Sequence, residues 1–287
     1  MRRASRGARI GEYMTVTNAV ETTMIWGTVS GASMVGMVIS LLLSVVLPIF
    51  LGIFIYKKTK AWVPAFFIGC GIFVGFAMIL EQICHAIVLT VTGSAIRDNI
   101  WLYAIYGGLA AALFEECGRW IAMKFCLKKH LTRENALMYG AGHGGIEAFL
   151  ILGMSSMSNL LTAAMINGGL MEKTMTALEP AQQEVTYHQL SVLWTTPAYQ
   201  FYLAPVERIS ALALQIALSI LVYSAVKTGR KLHLATAFGL HFAVDFLTVV
   251  CASTIPTWAL ELGLLVVVAV ICAAVYKLVY VHSAEKK

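Results

Sequence analysis

Apolar runs long enough to cross a bilayer, about 20 residues each, recur at roughly 28–56, 61–91, 99–125, 135–157, 206–226, 232–252 and 256–280. Each predicts a transmembrane helix. The second run opens near Pro64, in a first turn where proline is tolerated, and Pro48 is expected to kink the first. Periodicity within the runs adds little, because a helix among lipid and other helices is apolar on most faces. The stretch from about 158 to 205 breaks the pattern. It carries Tyr187, Trp194, Tyr199, Phe201 and Tyr202, residues suited to a membrane interface. It predicts one or two helices on the outer surface, either a lid or a plain connector. Residues 1–24 are polar, hold Arg2, Arg3, Arg6 and Arg9, and lack the features of a signal peptide. The expected organisation is a disordered tail over 1–24 and a single transmembrane helical domain over 25–287.

Composition strengthens this picture. Of 287 residues 59% are hydrophobic and only 13% charged, where soluble domains carry about 25%. The predicted class is all-α: a polytopic transmembrane helix bundle of about seven spans, an integral multi-pass protein expected in a bacterial cell membrane. A net charge of +6 does not suggest nucleic acid as a partner, since the basic residues lie in short loops. All six cysteines fall within apolar runs with no CxxC pair, which argues against a disulfide framework or a zinc knuckle. Thirteen basic residues (Lys57 and Lys124 among them) lie in alternate loops and near the C-terminus, against Arg97, Lys173 and Arg208 on the other side. The positive-inside rule then places the C-terminus in the cytoplasm and the N-terminus outside. The four arginines of the tail oppose that assignment, and the three short internal loops outweigh them.

Charge appears where a simple span would not carry it. Phe114–Arg119 reads FEECGR, two carboxylates and a guanidinium inside an apolar run. Each charge at bilayer depth costs roughly 2.5–3.5 kcal/mol on insertion scales. A self-neutralising Glu–Arg pair at helical spacing would explain this stretch alone. Two further spans repeat the device: His143 and Glu147 share one helical face, as do His241 and Asp245. At about 1.5 Å per residue, Arg119 and Glu115 lie roughly 10 and 16 Å from the cytoplasmic ends, His143 and Glu147 roughly 12 and 18 Å, His241 and Asp245 roughly 14 and 20 Å. One layer of ionisable groups in the inner half of the bilayer points to a functional polar site. Glu81 and His85, with Glu207 and Arg208, lie further out and are expected to form an anchoring cluster. Glu261 is expected to be solvated. Gly140, Gly142 and Gly145 formally match GxGxxG, but a dinucleotide fingerprint needs a preceding strand. In this setting small residues four apart (Gly140 with Gly144, Ala141 with Gly145) allow helices to approach closely.

Glu115-Glu116-x-x-Arg119, His143-x-x-x-Glu147 and His241-x-x-x-Asp245, in that order on three spans, resemble the glutamic-type intramembrane proteases, which include the CPBP (CAAX-processing) and PrsW families. GHGGIEA, with the following Glu207-Arg208, is most similar to the YhfC family. Departures exist: the CPBP pattern has one more residue before its arginine, a phenylalanine at His143 and a histidine at Glu147. PrsW proteins carry lysine at Arg119 and phenylalanine at His143, while Glu147 and Asp245 match theirs. The resemblance implies membrane-embedded or lipid-anchored peptide or protein substrates and leaves the substrate class and oligomeric state open.

Peptide hydrolysis needs an activated water, an oxyanion donor and a proton for the leaving amine. The candidate catalytic set is Glu115, Glu116, Arg119, His143, Glu147, His241 and Asp245. The resemblance makes the first glutamate, Glu115, the base, with Glu116 and Arg119 as a structural pair. His241 would hold water or the oxyanion, Asp245 would fix its tautomer or bind water, and His143 and Glu147 would complete the wall. No cofactor or metal is expected in this reading. Two alternatives use the same residues: a divalent metal held by His, Glu and Asp, or the proton or ion path of a coupled transporter. Neither the HExxH of zincins nor the internal repeat of many transporters is present.

Overall fold

The computed structural model describes residues 24–281; the expected disordered tail falls outside them, apart from Met24. Seven helices among the described residues are long and apolar enough to span a membrane. They are α1 (Gly31–Thr59), α2 (Pro64–Thr92), α3 (Ile100–Cys126), α4 (Arg133–Asn167), α7 (Ala198–Thr228), α8 (Lys231–Ala252) and α9 (Thr257–Val281). Two short helices, α5 (Leu170–Met175) and α6 (Pro180–Thr195), lie in the connector between α4 and α7. No strand occurs among the described residues, so the bundle is all-α and the GxGxxG match belongs to a helix.

Local chemistry sets the helix ends. Asn99 accepts from the amides of Trp101 and Leu102 at the start of α3, and Thr132 from that of Asn135 at the start of α4. Pro64 occupies the first turn of α2. Gly229, at φ 72°, ends α7 in the left-handed conformation that glycine adopts without strain. α1 continues through Pro48, which packs beside Gly145 of α4.

α7 is the central helix. Of its most apolar 18-residue window 72% is buried, against 17–33% for the other six spans, and it packs on α1, α4, α8 and α9. It begins eight residues before the predicted start at 206, so Tyr199, Phe201 and Tyr202 form its opening turns rather than part of a separate outer helix. Contacts with α1 hold this extension: the Tyr202 hydroxyl donates to the Ala32 carbonyl at 2.8 Å, and Ser40 Oγ to the Phe201 carbonyl at 3.2 Å. α4 likewise runs ten residues past its predicted end at 157. Its last residue, Asn167, holds the start of α1 by accepting from Val29 N at 2.8 Å and donating to Val29 O at 2.9 Å.

Close approach around α4 depends on glycine. A Cβ on Gly142 would overlap the Phe66 carbonyl of α2, and one on Gly144 would come within 2.9 Å of Gln215 Cβ on α7. The glycine-rich run thus lets α4 lie directly against two helices at the level of His143 and Glu147.

Candidate active site

α3, α4, α7 and α8 bring all seven predicted site residues together. Glu115 and Glu116 diverge although adjacent. Glu116 is 1% exposed with both oxygens bonded: Oε1 accepts from His241 Nδ1 at 2.9 Å, Oε2 from Arg119 Nε at 3.1 Å. Glu115 lines a cavity of about 360 Å³. Its bonds fall on Oε2, from His143 Nε2 at 3.0 Å and Gln215 Nε2 at 2.9 Å, and among the described residues Oε1 has no hydrogen-bond partner.

Arg119 is fully buried. Besides Glu116 it donates through Nη1 to Ser219 Oγ at 2.7 Å and the Gln215 carbonyl at 2.9 Å, and through Nη2 to Gln215 Oε1. It stays 3.9 Å from Glu115 Oε2. A buried guanidinium supplied with acceptors on every side is a structural clamp joining α3 to α7. His143 is also fully buried; Nε2 meets the Glu115 carboxylate while Nδ1 lies 3.4 Å from the Tyr139 hydroxyl. A carboxylate only accepts, so these contacts select the tautomer with the proton on Nε2.

The cavity is walled by Glu115, Glu147, Glu207, Arg208, Gln215, His241 and Asp245, with Gly107, Gly108 and Ala111 of α3 on one side. His241 donates Nδ1–H to Glu116, so Nε2 faces outward, 3.5 Å from Asp245 Oδ2. Glu116 thereby fixes the His241 tautomer, a role the sequence offered to Asp245. Asp245 has the most open side chain of the set, 35% exposed. Glu147 accepts from Gln215 Nε2 at 2.7 Å and from Arg208 Nη1 at 3.2 Å.

Several expectations need correction. Glu207 and Arg208 are paired side chains in the wall of this cavity, not an anchor shared with Glu81 and His85. The latter couple to α3 instead: His85 Nε2 lies 3.2 Å from Glu81 and Nδ1 2.7 Å from the Tyr106 hydroxyl. Glu261 is buried, 8% exposed, and its Oε2 has no hydrogen-bond partner among the described residues. No residue of 168–197 is among those lining this cavity. The connector is pinned to the approach to α1: Tyr187 donates to the Ile25 carbonyl at 2.7 Å, and Trp26 packs on Tyr187 and Trp194. Gln215 and Ser219 were missed. Their signal was a glutamine and a serine four apart in the apolar part of a span, after Glu207 and Arg208.

A model of the family described as YhfC intramembrane metalloprotease matches residues 43–272. The chain belongs to that family. It is also 41% identical over 222 residues to the "Uncharacterized membrane protein YhfC" of Bacillus subtilis (strain 168), covering 74% of this chain and 83% of that protein. No solved structure matches.

The family description implies a metal, and the donor geometry tests it. Both His143 nitrogens are engaged, by Glu115 and Tyr139, and the Arg119 guanidinium lies 3.4 Å from Nε2. That positive charge opposes a divalent cation at the same place. His241 is, among the described residues, the one histidine that lines the cavity. Among the described residues, no three His, Cys, Asp or Glu side chains converge as a ligand set. In this arrangement the residues do not fit a metal centre.

Proposed function

We propose that this protein is an intramembrane endopeptidase in which Glu115 activates a water to hydrolyse a peptide bond of a membrane-embedded or lipid-anchored substrate. The observation that carries the reading is the asymmetry of the two glutamates. Glu116 has both oxygens engaged by Arg119 and His241, whereas Glu115 lines the cavity with an oxygen that has no hydrogen-bond partner among the described residues. A base must reach the proton it removes, and of the two adjacent glutamates Glu115 meets that condition.

In this mechanism a water between Glu115 and Asp245 gives one proton to Glu115 while its oxygen attacks the scissile carbonyl. His241, anchored through Nδ1 by Glu116, presents Nε2 to the developing oxyanion and stabilises it when protonated. Glu115 returns the proton to the amide nitrogen as the C–N bond breaks, giving a carboxylic acid and an amine. Arg119 and His143 touch no substrate. They hold Glu115 and Glu116 apart and oriented.

The decisive experiment is cleavage of a labelled single-span transmembrane peptide by purified protein, with Glu115→Gln as the paired variant. The expected result is cleavage by the parent and none by the variant; undiminished cleavage by Glu115→Gln rejects the reading. A metal-dependent protease is the second reading, favoured by the family description. It requires His241 and several carboxylates to move together into a ligand set, and its test is the response to chelator.

A further inference from the structure

We infer that Gln215 is the positioning residue of the site: it keeps Arg119 off Glu115 and presents the outer oxygen of Glu115 to the cavity. The inference rests on Glu115 being the base.

Gln215 is 3% exposed and meets three ionic side chains. Its Oε1 accepts from Arg119 Nη2, and its Nε2 donates to Glu115 Oε2 at 2.9 Å and to Glu147 Oε2 at 2.7 Å. A guanidinium only donates and carboxylates only accept, so the amide can stand one way round. Reversed, it would turn its oxygen toward two carboxylates and its N–H groups toward a cation.

Two consequences follow. Arg119 Nη2 is within reach of the base, yet it bonds the amide oxygen and remains 3.9 Å from Glu115 Oε2. Without that oxygen, Nη2 has the Glu115 carboxylate within reach at 3.9 Å, and a carboxylate locked in a tight guanidinium pair is a poor proton acceptor. At the same time one NH2 group holds two carboxylates from different helices, Glu115 of α3 and Glu147 of α4, which would otherwise repel. Glu147 is steadied from its far side by Arg208 at 3.2 Å. The packing puts Gln215 there: Gly144 brings α4 against its Cβ, and Ser219, four residues on, takes the other arm of Arg119.

The test compares Gln215→Met and Gln215→Glu, both close to the parent side chain in size, on a fluorophore–quencher single-span peptide in detergent. Glu115→Gln serves as control, and thermal unfolding is followed in parallel. Methionine removes both halves of the amide. Glutamate keeps an acceptor for Arg119 and places an anion against Glu115 and Glu147. We expect kcat to fall about 10²-fold in a folded variant, the usual cost of a small misplacement of a reacting group, with KM changed less than about threefold. A folded variant with parental kcat overturns the inference and leaves the base assignment standing. So does a rise in KM at constant kcat, which would make Gln215 a substrate contact. Loss of fold in both variants also overturns it, in favour of a purely structural role. Full activity in Glu115→Gln would instead remove the base assignment on which the inference rests.

Discussion

His143 Nε2 lies 3.0 Å from Glu115 Oε2, joining residues 28 positions apart on α3 and α4. His143 is fully buried while Glu115 reaches the cavity wall, so the contact connects the interior clamp to the cavity. The same division runs through the site. Arg119, Glu116 and His143 form its back, and Glu115, Glu147, His241 and Asp245 its face.

The two adjacent glutamates should respond differently to the same substitution. Glu115→Gln is expected to lower kcat by ~10²–10⁴-fold, the usual worth of a general base, with little change in thermal stability. Glu116→Gln removes the charged partner of a buried arginine, and breaking such a pair costs about 3–5 kcal/mol. Its main readout should be a lowered unfolding temperature in detergent. The reverse pattern would exchange their roles.

Chelation separates the two protease readings. Activity is expected to survive prolonged treatment with a strong chelator, and elemental analysis to find no stoichiometric zinc. About one metal ion per chain, lost together with activity in His241→Ala or Asp245→Ala, would establish the metalloprotease instead.

Gly142→Val should be among the most damaging changes away from the cavity. Even a Cβ there overlaps the Phe66 carbonyl, and backbone cannot step aside as a side-chain tip can. The expected outcome is loss of monodisperse protein in detergent. Gly71→Ala, where a Cβ meets nothing within 4 Å, should be tolerated. Equal stability of the two variants would show that α4 does not pack on α2 as described.

Loop charge makes a prediction about orientation. A reporter fused after Lys129 should be cytoplasmic and one near Gln182 exterior. The opposite result at both positions would invert the protein and move the site to the outer half of the bilayer.

The sequence by itself determined the seven spans, because crossing lipid requires long apolar runs and no folding detail alters that requirement. It also marked Glu115, Glu116, Arg119, His143, Glu147, His241 and Asp245, since charge in such runs is costly enough to be conspicuous. Only the tertiary structure decided how these residues divide the work. Glu115 and Glu116 look alike in FEECGR; packing gave one to Arg119 and His241 and turned the other to the cavity. Gln215 was visible as a lone amide in an apolar span, but its meaning depends on partners 100, 96 and 68 positions away. Glu207 and Arg208 joined the site because α7 packs against α4 so that both line the cavity and Arg208 reaches Glu147. Hydrophobicity is summed along a chain, so it can be read residue by residue. Hydrogen bonding is settled between helices, and which carboxylate is satisfied depends on what the neighbouring helix presents.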